Sequence, residues 1–497
     1  MALLMPAPEA EILARRGELL ARLAKILPAK DIIADEIARR AFECDAFTMY
    51  RALPLVVVLP QTVAQVQAIM ALAAQMNVKV VPRGAGTSLS GGSMPLEDGI
   101  LLGLSKFNKI LEIDYENRCA VVQPGVQNLA ISKAVEAAGF YYAPDPSSQI
   151  ACSIGGNVAE NAGGVHCLKY GLTTNNILGL EVVLMGGEIV RFGGKHLDSE
   201  FYDLLGLMTG SEGLLGVVTE VTVRILQRPG VARGLLLGFA DVESGARCVG
   251  AIIAAGIIPG GMEMMDNPTI RAVERFQPCG YPLDAGAIVI VELDGTQAEV
   301  DHLVAAVETI ARDCGATTSK ISQSEAERLQ FWAGRKNAFP AVSCIGPDYL
   351  CMDGTIPRAR LPEVLTGMER LAQQHGLRVA NVFHAGDGNL HPLILYDASK
   401  PGDIEAAEAL GFDILRLCVA VGGVLTGEHG VGVEKRDLMG EMFSEIDLAQ
   451  QMRVKCAFDP NGRLNPGKVF PTLHRCAELG MMHVVGGALP FPDLPRF

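Results

Sequence analysis

The chain has 497 residues, 49% hydrophobic and 20% charged, a composition that folds and a length that calls for two or three domains. Its net charge of -14 excludes a nucleic-acid partner, because phosphate contacts need a basic face. The apolar stretch 248–262 is broken by glycines and Pro259 and falls short of the roughly 20 apolar residues of a membrane helix, so no transmembrane segment is expected.

The opening MALLMPAPEAEI lacks the basic-then-apolar pattern of a secretory leader, and a cytoplasmic location is expected. No two of the 12 cysteines form a CxxC pair, so disulfides, zinc fingers and iron–sulfur clusters are not expected in this chain.

Amphipathic periodicity predicts helix over 9–40, interrupted at Pro28. A strand at 54–60, a helix at 62–75 and a strand at 78–82 form a β-α-β unit that runs into PRGAGTSLSGG (82–92). That loop keeps Gly84 and Gly86 of a dinucleotide fingerprint but has Leu89 at the third position, which argues against a nicotinamide-dependent Rossmann enzyme. Its glycines and hydroxyls can form an anion nest, although an ordinary surface turn is the alternative. Short strands follow at 100–104, 110–113 and 120–123, then a helix at 128–138. A hairpin is predicted at 180–191, turning on Gly186-Gly187. Pro229-Gly230 closes this part. A second mixed region, 231–455, includes a strand at 287–293 and a helix at 298–314.

Three more glycine- or serine-rich segments lie among these elements: PDPSS (144–148), SIGGNVAENAGG (153–164) and TGSEGLLGVVTE (209–220). Any one of them is explained by a turn; four together favour a long ligand threaded through a groove. In the second region, VFHAGDGNLHPLIL (382–395) predicts a hairpin turning on Asp387-Gly388, which sets His384 opposite His391 with Cβ atoms about 5 Å apart. LTGEHGVG (425–432) adds Glu428 and His429. Two imidazoles and a carboxylate suit a divalent metal, Zn²⁺ by the softness of the ligands, with Mn²⁺ or Fe²⁺ also compatible. Core histidines and a loop acid without metal are the alternative.

In this order the four glycine-rich motifs resemble the FAD-binding domain of the vanillyl-alcohol-oxidase, or p-cresol methylhydroxylase (PCMH), flavoproteins, over most of the chain. The resemblance implies an α+β fold in which a two-subdomain PCMH-type FAD-binding domain precedes an α+β, ferredoxin-like substrate domain. The division expected is a helical segment 1–50, the FAD-binding domain 51–229, the substrate and metal domain 230–470 and a tail 471–497. It implies FAD contacts from Pro82, Arg83, Gly84, Ala85, Gly86, Thr87, Ser88, Gly91 and Gly92. Further contacts come from Pro144, Asp145, Ser147 and Ser148, and from Gly155, Gly156, Asn157, Asn161, Gly163 and Gly164. Glu212, Gly216, Val217 and Val218 belong to the fourth segment, and Asn465 to the C-terminal FDPNGRLNPGKVF. Relatives with covalent flavin carry His where this chain has Thr87, so non-covalent FAD is expected.

HAGDGNLH and GEHG resemble the metal-dependent 2-hydroxy-acid dehydrogenases of this group, which implies His384, His391 and Glu428 as ligands and His429 as base. FWAGRKNAF (331–339) resembles their substrate segment, with Arg335 as the carboxylate clamp. Cys351 stands near the place of a lysine that relatives use for a dicarboxylate, so a small substrate, glycolate or D-lactate, is implied. RKNAFPAV, MDGTIPR and the tail HRCAELGMMHV are most similar to flavin subunits of glycolate oxidase complexes. That subfamily implies partner subunits, one of them an iron–sulfur protein, and peripheral association with the inner face of the plasma membrane through those partners. A stand-alone D-lactate dehydrogenase and a non-catalytic flavin-binding scaffold are the alternatives; the intact metal set argues against the scaffold.

Overall fold

The computed structural model describes residues 5–197 and 201–471; the expected tail 471–497 lies outside the described residues, apart from Pro471. The N-terminal helix is shorter than predicted. Helices Ala10–Ala14 and Arg16–Leu23 form, but Pro28 is extended and Ile32–Ile33 is a strand antiparallel to Val56–Val58. Proline ends the helical run and the β-branched pair takes the sheet edge. Ile12, Leu19 and Leu23 are buried in the first core.

The β-α-β unit forms as predicted. Helix Val63–Met76 is capped by the Thr62 hydroxyl, which accepts from Gln65 N–H at 3.2 Å, and closes on a left-handed Asn77. Strand Gly99–Gly103 lies between Val56–Val58 and Lys79–Arg83 and is parallel to both. The 84–92 loop therefore leaves from the carboxyl end of this parallel sheet, the edge where open α/β sheets place ligands.

Five antiparallel strands make the second sheet, in the order Ile110–Asp114, Cys119–Val122, Val217–Arg224, Ile177–Val183, Ile189–Gly193. Its last hairpin differs from expectation by one residue. Val183 pairs with Ile189 and Leu184 N–H bonds the Glu188 carbonyl, so the turn has three residues, ending on Gly187 at φ 94°. A one-residue slip exchanges the two faces of a strand. Here the left-handed glycine favoured the three-residue loop over the two-residue one.

The third sheet has seven antiparallel strands. Four of them, Val231–Phe239, Gly261–Asp266, Ala287–Gly295 and Ala316–Ile321, are arranged fourth-first-third-second with helices Val242–Ala254 and Gln297–Asp313 as crossovers, the expected ferredoxin-like pattern. Strands Arg378–Phe383, Pro392–Tyr396 and Asp348–Cys351 extend it. After helix Glu445–Phe458 the chain returns to the first sheet, where Leu464 bridges Val80 in parallel. Buried Lys455 fastens this return, donating to the carbonyls of Leu214 and Leu464 at 2.6 and 2.8 Å.

Candidate active site

A cavity of about 440 Å³ opens between the loops of the first two sheets and runs to the histidines of the third. Pro82, Arg83, Gly84, Ala85, Gly86, Thr87, Ser88 and Gly92 line it, with Ser147 and Ser148. The segment read as a third glycine loop is a helix, Ile154–Glu160, whose Gly155, Gly156 and Asn157 face the cavity; Glu212, Gly216, Val217 and Val218 complete the expected wall. The glycines are needed for close approach. A Cβ on Gly84 would lie 2.2 Å from Ser153 Oγ, and Gly86 sits at φ +74° with Arg83 Nη2 2.3 Å from where its Cβ would be. Ser153 Oγ, Asn157 Nδ2 and Glu160 Oε2 are buried on this wall without a hydrogen-bond partner. Such groups await a polar ligand, and a long molecule with a diphosphate and a polar ring system fits them.

Seven expected contacts stand behind the wall. Gly91 turns at φ +76° against Val433, and the Pro144 carbonyl accepts from Asn128. Asp145 binds His166, Asn161 accepts from Thr174 N–H, and Gly164 packs against the Asp145 carbonyl. Gly163 leaves room for Glu428, whose Oε2 is 2.7 Å from the absent Cβ. Asn465 Nδ2 donates to the carbonyls of Gly92 and Glu212 at 2.9 and 2.8 Å, tying two wall segments to the C-terminal return.

At the far end His391, Glu428 and His429 face the cavity. The hairpin that carries the histidines is built differently from the prediction. His384 bridges Asn389 and Val382 N–H meets the His391 carbonyl, so residues 385–388 form a four-residue turn and the register moves by two. A shift of two preserves the face. His391 becomes the diagonal neighbour of His384 instead of its direct opposite, and the rings still lie 5.0 Å apart. Glu428 Oε1 is 3.1 Å from His384 Nε2 and 3.2 Å from His391 Nε2, and ligand atoms of all three residues fall within 4.8 Å of one another. Both ring nitrogens of His391 lack a hydrogen-bond partner. The donor set and these orphaned nitrogens fit a divalent cation.

Glu263, which sequence reasoning missed, supports this cluster. Fully buried in strand Gly261–Asp266, it takes His384 Nδ1 at 2.6 Å and Arg335 Nε at 2.5 Å. A charge inside the apolar run GMEMMD was the available signal. Burial opposes protonation of His384, but Glu263 and then Glu428 hold its pKa well above the usual imidazole range. Arg335, expected at the substrate, is 1% exposed and does not line the cavity; its Nη2 has no partner. Lys336 and Phe339 from the same segment do line it. Cys351 is buried.

Asp353, also missed, organises the 426–429 loop. Its carboxylate accepts from Thr426 Oγ1 at 2.6 Å, from the N–H groups of Gly427 at 3.0 Å and His429 at 2.8 Å, and from Asn389 Nδ2 at 2.7 Å. It lies in MDGTIPR, where the resemblance of the segment was the only sign. His429 stacks on His391 at 4.9 Å, and its Nδ1 is unpartnered. Burial pushes the His429 imidazole down to about 4.

This fold and site define a flavin-dependent oxidoreductase with glycine-rich loops at one end of its cavity and a histidine–carboxylate cluster at the other. The chain belongs to the FAD-linked oxidase family: residues 54–193 match the FAD binding domain and residues 228–469 the C-terminal domain of FAD linked oxidases. It is 58% identical to the glycolate oxidase subunit GlcD of Escherichia coli over 97% of each chain, and 37% identical to that of Bacillus subtilis, covering 87% of this chain and 92% of the relative. A D-lactate dehydrogenase of Archaeoglobus fulgidus is 32% identical, covering 91% and 99%. Among solved structures, p-cresol methylhydroxylase with substrate bound superposes with a TM-score of 0.78 at 18% identity, covering 94% of this chain and 98% of that one. The 4-ethylphenol oxidase of Gulosibacter chungangensis gives 0.77 at 19% over the same shares, so these two speak for the fold.

Proposed function

We propose that this chain is the FAD-carrying subunit of a glycolate-oxidising complex and converts glycolate to glyoxylate. The observation that carries the reading is the meeting of His384, His391 and Glu428 beside an unpartnered His429, at the end of a cavity walled by the family's FAD-binding segments. The identity with glycolate oxidase subunits supports the choice of substrate over D-lactate. Phe339, whose ring lies 6.0 Å from that of His391, narrows the same end and suits a small acid.

The segments that line the cavity would hold FAD non-covalently, and the flavin would supply the acceptor for the C2 hydrogen and its two electrons. His384, His391 and Glu428 would hold a divalent cation, which would supply positive charge to the substrate oxygens. His429 accepts the hydroxyl proton; buried and neutral, it is free to act as base. Asp353 fixes the backbone of His429, and Glu263 fixes the ring of His384. Arg335 holds Glu263 through Nε and so steadies the cluster from behind the cavity wall. The electrons then leave to an iron–sulfur partner subunit, since the cysteines among the described residues build no cluster site. No helix of the described residues is long and apolar enough to cross a membrane, in keeping with a cytoplasmic chain held at the membrane, if at all, by its partners.

Anaerobic mixing of the holoprotein with glycolate, D-lactate and L-lactate tests this. Glycolate should bleach the flavin absorbance fastest. Faster bleaching by D-lactate transfers the assignment to a D-lactate dehydrogenase, and no bleaching by any of the three contradicts the catalytic reading.

A further inference from the structure

Glu160 takes no part in the mechanism above, yet it occupies a singular position. It is the last residue of helix Ile154–Glu160 and lines the cavity. Its carboxyl enters a gap left by two glycines: Oε1 lies 2.7 Å from where a Cβ of Gly92 would be, and Oε2 2.1 Å from that of Gly430, the residue after His429. Glu212 Oε1 is 3.0 Å from the same Gly430 point, so two carboxyl groups share one small space at the reacting end of the cavity.

The two groups are treated differently by the fold. Burial pushes the Glu212 carboxyl up, but it accepts the N–H groups of Val431 and Gly432, each at 2.7 Å, and these bonds favour its anion over that of Glu160. Glu160 Oε2 is buried and has no partner. Lys435, the cation of the cluster, spends its ammonium on the Gly430 carbonyl at 3.0 Å and Glu434 at 2.9 Å. Asp45 and Asp353 add further negative potential. A second anion beside Glu212 is therefore unfavourable, and the proton of the pair belongs on Glu160. A buried O–H without an acceptor costs free energy unless a ligand receives it.

We propose that Glu160 is a hydrogen-bond donor to the reacting end of the bound FAD, a neutral carboxylic acid that uses the proton Glu212 cannot take. This rests on the FAD reading above and adds the residue that contacts the cofactor where electrons arrive. A donor there stabilises the electron-rich reduced cofactor more than the oxidised one, so Glu160 raises the reduction potential.

The test compares wild type, Glu160→Gln and Glu160→Leu as full-length proteins. FAD affinity is measured by reconstituting the apoprotein, the midpoint potential by equilibration with a reference dye, and apoprotein thermal stability serves as the folding control. Glu160→Gln keeps a donor, so its affinity and potential should stay near wild type. Glu160→Leu should lose about tenfold in FAD affinity and shift to a more negative potential, with apoprotein stability unchanged or higher. An unchanged Leu variant, or a Gln variant as impaired as Leu, overturns the proposal. So does a Gln variant of raised potential, which would mean that wild-type Glu160 carries a charge. Wild-type protein that takes up no FAD defeats the parent reading instead.

Discussion

His384 is a ligand candidate held from behind. Its Nδ1 is fixed at 2.6 Å by Glu263, which leaves Nε2 to face Glu428. Partners of this kind contribute about 10–100-fold to metal affinity. Glu263→Gln should lower metal affinity by that factor, measured by competition with a chelator, while FAD binding is unaffected. Asp353 has a different duty. Replacing it with Ala leaves the N–H groups of Glu428 and His429 without their acceptor, each costing about 1–3 kcal/mol where buried. Asp353→Ala should therefore lower the melting temperature as well as abolish flavin reduction, whereas Glu263→Gln should affect the metal far more than the melt. Neither residue was legible as functional in the sequence. A carboxylate that works by holding another side chain has no spacing rule of its own, and only the burial of Glu263 and Asp353 reveals the role.

At the scale of elements, the β-α-β unit and the helices were readable because periodicity and caps such as Thr62 are local signals. The hairpins were readable in kind and wrong in register. At Gly187 a left-handed glycine made a three-residue turn, and at 385–388 the chain used four residues where Asp387-Gly388 suggested two. The histidine–carboxylate cluster survived the second error because its shift was even, which keeps both histidines on one face. Helix Ile154–Glu160 was hidden by its own glycines, which disfavour helix in isolation and are tolerated here where the cavity approaches the backbone. Gly84 makes this testable. With Ser153 Oγ 2.2 Å from the new Cβ, Gly84→Ala should weaken FAD affinity at least about tenfold, measured by titrating apoprotein with FAD. Equal affinity would show that the 84–92 loop has slack.

Across the whole molecule, the first two sheets are joined to the third by a polar seam built on the buried carboxylates of Glu292 and Asp294. His166 lies between Asp145 at 2.9 Å and Glu292 at 3.4 Å, and Lys169 reaches Asp294 at 2.7 Å. Burial lowers the affinity of His166 for its proton, but Asp145 and then Glu292 more than reverse this, and its pKa stands well above the usual imidazole value. A raised folded pKa contributes stability that is complete below the unfolded value near 6.5 and is lost as pH rises through the folded value. His166→Leu should therefore cost most in melting temperature near pH 6, and the difference from wild type should shrink as pH is raised above the folded pKa. A penalty that grows with pH contradicts the charged seam.

The central claim is that glycolate is oxidised at a cation held by His384, His391 and Glu428, within reach of FAD. Anaerobic stopped-flow reduction of the flavin by glycolate, before chelation, after chelation and after metal is restored, tests it most directly. The prediction is fast bleaching, then loss of bleaching with FAD still bound, then recovery. Bleaching at an unchanged rate in metal-free protein would contradict the account and leave the histidine cluster a structural feature of the fold.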